Sequence, residues 1–200
     1  EIELDYLIED LPKLLTSMET GATRIKEIVL SLRNFSRLDE AEIKLVDIHQ
    51  GIDSTLLILQ HQLNSNTKYP EIEIIKKYAQ IPKINCYASQ LNQVFMNIIS
   101  NAIYALRDKN AKQPAIIIST FLKNKRNIAI SIKDNGIGIN QSVLDKIFDP
   151  FFTTKPVGSG TGLGLSTSYS IVVEKHNGKL KCNSILGKGT EFIIELPINS

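Results

Sequence analysis

Asn97 and Asn101 stand four residues apart, so a helix through them sets both carboxamides on one face. Val94, Ile98, Ala102 and Ala105 make the neighbouring face apolar, and two amides beside such a face need partners. A carboxamide oxygen is a neutral, hard donor, suited to a magnesium ion that already carries phosphate oxygens. Further on, Asp134-Asn135-Gly136-Ile137-Gly138-Ile139 follows a strand-like run. Its carboxylate can accept from an exocyclic amine, and its glycines let backbone approach a flat ring. The third stretch, Gly158-Ser159-Gly160-Thr161-Gly162-Leu163-Gly164-Leu165-Ser166, sets four glycines at alternate positions and runs into a helix start. Backbone amides and the positive end of the helix dipole make such a start a phosphate cradle. It is not a P-loop, because no Gly-Lys-Ser/Thr follows. It is not a dinucleotide fingerprint, because no strand precedes it and no βαβ unit follows.

These stretches need elements to position them. Residues 89–108 read as a long helix carrying both asparagines. Alternating runs over 115–122 and 127–132, around the polar turn 123–126, predict a hairpin that ends near Asp134. Residues 142–147 read as a short helix and 149–161 as a loop. A helix follows over 163–176, stopped by Asn177 and Gly178 in a left-handed turn. Strands over 179–184 and 190–196 close the chain. Upstream, residues 44–48 alternate like a short strand, Asp47 can cap a helix that runs to about Leu63, and 71–78 read as a half-buried strand. Hairpins in place of regular crossovers give an α+β fold, a two-layer sandwich.

The first forty residues have a different period. Leu11, Leu14, Met18, Gly21, Ile25, Ile28, Leu32 and Phe35 step alternately by three and four, a sustained heptad. Leu15, Ala22 and Val29 widen the stripe to a width that suits a four-helix bundle. Two domains are expected: a bundle helix over 1–40 and a sandwich over 41–200.

Composition narrows the function. Lys and Arg total 23 and Asp and Glu 21, for a net charge of +2, which argues against a polybasic nucleic-acid binder and against a disordered acidic tail. No apolar run is long enough to span a membrane. The chain starts at Glu1 and not at Met, as a piece of a longer protein would. Cys86 and Cys182 lack metal-ligand spacing and read as free thiols in a reducing cytoplasm. His49, His61 and His176 form no cluster, so a zinc site is not supported. His176 falls at a helix end, where it reads as a cap able to carry positive charge.

In order along the chain, the asparagine pair, Asp-x-Gly-x-Gly, Phe148-Asp-Pro-Phe-Phe152, Gly-Thr-Gly-Leu-Gly-Leu-Ser and Gly189-Thr-Glu-Phe192 resemble the catalytic domain of two-component sensor histidine kinases. The likeness covers about residues 44 to 197 and implies a sandwich of the histidine kinase, gyrase and chaperone ATPase type. Phe148 to Val157 is similar to the nitrogen-regulatory subgroup. Leu32-Arg-Asn-Phe-Ser-Arg37 is similar to the second helix of the family's dimerisation hairpin.

The resemblance implies ATP and magnesium as cofactors. Asp134 would bind the adenine amine, Thr190 would support it through water, and Gly136, Gly138 and Ile139 would line the base pocket. Asn101 would ligate magnesium, with Asn97 one turn earlier near the phosphates. Phe148 to Gly160 would form a lid, with Phe151 and Phe152 as its anchors. Thr161, Gly162, Leu163, Gly164 and Leu165 would meet the phosphates. Many members carry a basic residue three positions after the magnesium asparagine, and here that position is Tyr104, which leaves the phosphate charge to Arg107 or Lys155. Hydrolytic relatives keep a glutamate where Asn97 stands, so hydrolysis by a general base is disfavoured. No histidine here sits beside an acidic residue on a bundle helix, which puts the phosphoacceptor upstream of this chain. The implied partners are a second copy, through the N-terminal helix, and a response regulator receiver domain.

Overall fold

The computed structural model describes residues 11, 13–15, 18, 42–65, 67–109, 113–156 and 160–198. Most of the heptad region therefore lies outside the described residues. Leu11, Leu14, Leu15 and Met18 are helical and exposed.

The sandwich starts with strand β1 (Lys44–Val46) and helix α1 (Ile48–Leu63). Asp47 caps α1 as its type and place suggest, accepting from the His49 N–H at 3.0 Å. Ile48, Ile52, Leu56, Leu59 and Leu63 recur every three or four residues and are buried. Strands β2 (Glu73–Tyr78) and β3 (Ile84–Cys86) lead into helix α2 (Ala88–Lys109). Strands β4 (Ala115–Asn124) and β5 (Asn127–Asp134) form the expected hairpin, with a tighter turn than the sequence suggested. Helix α3 (Gln141–Leu144) is one turn, shorter than the expected 142–147.

Helix α4 (Gly164–Tyr169) does not continue as an α-helix to His176. From Ser170 to Lys175 it is wound as a π-helix. The left-handed residue that ends it is Asn177, at φ 50, and not Gly178. Gly178 is needed for a different reason: a Cβ there would lie 2.4 Å from the Glu195 carbonyl oxygen. Strands β6 (Lys179–Ile185) and β7 (Gly189–Pro197) complete a five-stranded sheet of order β2-β4-β5-β7-β6. The β2–β4 pair is parallel and the others are antiparallel. β1 and β3 make a separate two-stranded sheet.

Helices cover one face of the large sheet, which confirms the α+β two-layer reading. Ile116 and Ile118 of β4, Ile128, Ile130 and Ile132 of β5, and Phe192, Ile194 and Leu196 of β7 point into one core. Val94, Phe95, Ile98, Ile99 and Leu106 of α2 fill it from above. The other face is mixed, with Ile117, Phe121 and Ile193 beside Ser119, Lys133 and Glu195. Glu195 pairs with Lys123 and Lys181, and these contacts hold its carboxyl below the usual range. The result places the middle of α2 over the ends of β5 and β7, and the gap there is the site.

Candidate functional site

A cavity of about 580 Å³ opens between α2, the end of β5, the start of β7 and the segments 152–155 and 160–165. Asn97, Asn101, Tyr104, Asp134, Gly138, Ile139, Lys155, Thr161, Gly162, Gly164, Leu165 and Thr190 all line it, so residues from four separate stretches meet in one place. Three expected site residues do not line it. Gly136 lies behind Asp134, packed against Ala105. Leu163 is exposed at the N-cap of α4. Arg107 points away, donating to the carbonyls of Pro70, Gln62 and Asn64 and lying over the Tyr69 ring. Its charge secures the connection after α1 and does not face the cavity.

One end of the cavity is built around Asp134, which is 4% exposed. Its Oδ1 accepts from the Gly136 N–H at 2.8 Å and the Thr190 N–H at 3.3 Å. Burial raises its pKa, while these two amides and the charge of Lys109 oppose the rise. Lys109, on the last turn of α2, ties this end together by donating to the Asn135 and Gly187 carbonyls. Ser184 does not line the cavity but braces this end from behind, a support that the motifs do not reveal. Its hydroxyl accepts from the Ile139 N–H at 2.7 Å and donates to the Gly189 carbonyl, and it meets the Thr190 hydroxyl at 2.9 Å. It is invisible in sequence because it lies on β6, away from every box. Ala102, Ala105, Ile137, Ile147 and Phe192 make the walls here apolar, as suits a largely apolar ligand ring.

The other end is polar. Asn97 donates to the Gly164 carbonyl at 2.9 Å and to the Ser168 hydroxyl at 3.2 Å, which fixes the start of α4 against α2. Gly162 has φ 68, and a Cβ on it would lie 2.3 Å from the carbonyl carbon of Phe151. Phe151 itself has φ 66, a conformation that costs a non-glycine residue about 1–2 kcal/mol. The phenylalanine stretch and the glycine stretch are thus packed backbone to backbone. Of the two expected anchors, Phe152 packs against the core and Phe151 is exposed. Residues 157–159 of the expected lid lie outside the described residues.

Lys155 reaches into this polar end. Its ammonium donates to Asn101 Oδ1 at 3.0 Å and sits 4.4 Å from the centroid of the Tyr104 ring. Burial lowers its pKa. Between the two basic residues left open by the sequence, it is Lys155 that faces the cavity.

The histidines are occupied elsewhere. His49 stacks on Tyr78 and its Nε2 lies 2.8 Å from the Thr120 hydroxyl. His176 is 1% exposed; its Nε2 accepts from the Tyr87 N–H, so Nδ1 carries the proton and donates to the Ile171 carbonyl. Burial lowers its pKa, so the charged cap expected from sequence is instead a neutral clamp. His61 is exposed at the end of α1. Cys86 and Cys182 are free, with burial pushing both thiols up to about 12. Among the described residues no helix is long and apolar enough to cross a membrane, and no cluster of His, Cys, Asp and Glu could hold a metal.

Comparison with known proteins gives the family and the fold. A family model described as "Histidine kinase-, DNA gyrase B-, and HSP90-like ATPase" matches residues 86–200, more than half of the chain. Sporulation kinase E of Bacillus subtilis (strain 168) is 34% identical over 175 residues, which are 88% of this chain and 22% of that protein. The signal transduction histidine-protein kinase AtoS of Escherichia coli (strain K12) is 35% identical over 176 residues, 88% of this chain and 27% of that protein. The chain thus spans about a quarter of the length of these curated relatives. Among solved structures, the nucleotide-free catalytic domain of histidine kinase ThkA superposes with a TM-score of 0.65 at 24% identity, covering 80% of this chain and 99% of that one. Full-length ShkA in complex with AMPPNP gives 0.65 at 22% identity, covering 93% of this chain and 38% of that one. Both support the fold.

Proposed function

The chain belongs to the histidine kinase-, DNA gyrase B- and HSP90-like ATPase family, and from that premise we propose that its cavity binds ATP with magnesium and presents the terminal phosphate to a histidine on an upstream dimerisation helix. The observation that carries this reading is the pairing of two ends in one cavity. A buried carboxylate, Asp134, faces apolar walls at one end, and Asn101 with the glycine turn faces the other. Oδ1 of Asp134 is held by two backbone amides, which leaves Oδ2 to accept from the adenine amine. The apolar walls hold the ring and exclude water. The Thr190 hydroxyl, braced by Ser184, supports the base edge.

At the polar end, Asn101 fits a magnesium ligand. Its Oδ1 is a neutral oxygen that faces the cavity and already accepts from a cation, the Lys155 ammonium. A single protein oxygen is in keeping with magnesium that takes most of its remaining ligands from phosphates and water. When bound, the ion neutralises charge that develops on the phosphate oxygens. Asn97 positions the start of α4 so that backbone amides of the glycine turn face the phosphates. It carries no carboxylate, so it activates no water, and this favours transfer over hydrolysis.

In this reading residues 1–40 are the second helix of the dimerisation hairpin and 41–200 the catalytic domain, acting in the cytoplasm. The partners are a second copy of the chain and a receiver domain of a response regulator. The test pairs titration calorimetry with a transfer assay. ATP should bind more tightly than GTP and with magnesium dependence. Acid-labile phosphohistidine should appear once a protein carrying the upstream helix is added. Release of inorganic phosphate with no phosphohistidine under those conditions would replace this reading with a hydrolytic one.

A further inference from the structure

Among the described residues that line the cavity, Lys155 is the only Lys, Arg or His. The two basic residues of α2 are committed elsewhere, Arg107 to three carbonyls and Lys109 to two. The helix therefore supplies an aromatic ring, Tyr104, and an amide oxygen, Asn101, and the cation comes from a separate segment. Both surfaces suit an ammonium. A cation over an aromatic face is favoured when partly desolvated, and the amide oxygen accepts one of its protons. The segment is also shaped to deliver it: the Lys155 N–H donates to the Thr153 hydroxyl, and Phe152 is packed into the core just before it.

We propose that the Lys155 ammonium and magnesium are alternative occupants of Asn101 Oδ1, with the Tyr104 ring as the seat that holds the ammonium there. Without nucleotide, Lys155 latches its segment onto α2. With ATP and magnesium bound, Asn101 Oδ1 would serve the ion and Lys155 would turn to the phosphates. The same lysine thus competes with the metal and assists the nucleotide. This deepens the ATP-binding reading above and rests on it for the second half of the cycle. The latch itself does not need that reading. Tyr104 acts as a positioning residue through Lys155.

The test uses the full chain with Lys155→Met, Lys155→Arg and Tyr104→Leu. In nucleotide-free protein, amide exchange over residues 152–156 should quicken about tenfold in Lys155→Met and Tyr104→Leu, and stay near wild type in Lys155→Arg. In titrations at fixed ATP, the magnesium concentration that half-saturates binding should fall in Lys155→Met, because the competitor is gone. Affinity at saturating magnesium should weaken in the same variant, because the phosphates have lost a cation. Tyr104→Leu keeps the charge, so it should lower the magnesium requirement while its affinity at saturating magnesium stays above that of Lys155→Met. Unchanged exchange in both Lys155→Met and Tyr104→Leu would overturn the latch. Weaker affinity with an unchanged magnesium requirement would overturn the competition and leave Lys155 a plain phosphate contact. If wild type binds no ATP, the proposed function fails, and the exchange experiment still judges the latch.

Discussion

Asn97 holds Gly164: the carboxamide nitrogen in the middle of α2 donates to the carbonyl at the first residue of α4, at 2.9 Å. The same nitrogen reaches the Ser168 hydroxyl one turn on. An amide can make both donations and a carboxylate can make neither.

Asn97→Asp should therefore loosen the glycine turn. It removes two donations, each worth about 0.5–1.5 kcal/mol, and sets negative charge against the Gly164 carbonyl. We expect ATP to bind about tenfold more weakly, and amide exchange over residues 164–168 to quicken. An aspartate variant that binds as wild type does in calorimetry would remove Asn97 from the positioning role.

Legibility from sequence varied with the range of the interactions involved. α1 was legible from cap to last turn because its signals are local: Asp47 in front, then an apolar residue every three or four positions. β3 is not legible because three residues give too little alternation to see, and it exists through its pairing with β1. The switch to π-helix at Ser170 is not legible because nothing local marks it. It goes with the His176 ring, which reaches back five residues to the Ile171 carbonyl while Tyr87 occupies its other nitrogen. The same contact makes His176 a neutral clamp where its place at a helix end suggests a cap able to carry charge. Within the candidate site, the glycines, the asparagine pair and Asp134 are legible by motif. Ser184 and the direction of Arg107 are not, since both depend on which strands and loops pack beside them.

Asp134 offers a separable test of base recognition. Asp134→Ala leaves the Gly136 and Thr190 amides without their acceptor in a buried place, so it should lose stability as well as nucleotide, by about 1–3 kcal/mol for each orphaned donor. Asp134→Asn keeps an oxygen for those amides but turns a donor toward the adenine amine. It should fold much as wild type does and still lose ATP binding and the preference for ATP over GTP. Denaturant titration and calorimetry on both variants read the two effects apart; an asparagine variant with wild-type affinity would sink the role given to Asp134.

His176 should make stability depend on pH in a defined direction. Its folded pKa lies below the ordinary 6.5 because of burial, so the unfolded chain binds the proton first as pH falls. Its contribution is complete above about 6.5 and is lost as pH falls from there through the folded pKa. Protonation also costs the Tyr87 N–H its acceptor. His176→Phe removes the titration and both ring hydrogen bonds, so at pH 7.5 it should be less stable by about 1–3 kcal/mol. The gap between variant and wild type should narrow toward pH 5. A gap that stays constant in urea titrations across that range would show that the neutral clamp is not what sets the pH response.

These 200 residues alone should bind ATP and not phosphorylate themselves. Transfer needs an imidazole nitrogen in line with the terminal phosphate, free to attack and close to a group that takes its proton. His176 has both nitrogens engaged inside the core. His49 is stacked on Tyr78 and bonded to Thr120. His61 is exposed, but its sequence neighbours are Gln60 and Gln62, which accept no proton at neutral pH. Asn97 supplies no base for water either, so phosphate release should be slow. Incubation with ATP labelled at the terminal phosphate, followed by acid and base treatment, reads the outcome. Label should stay at background on this chain, then rise in acid-labile form on a partner that supplies the upstream helix. Stoichiometric label mapped to His49, His61 or His176 would place the acceptor inside the chain and overturn the assignment of the histidine to an upstream helix.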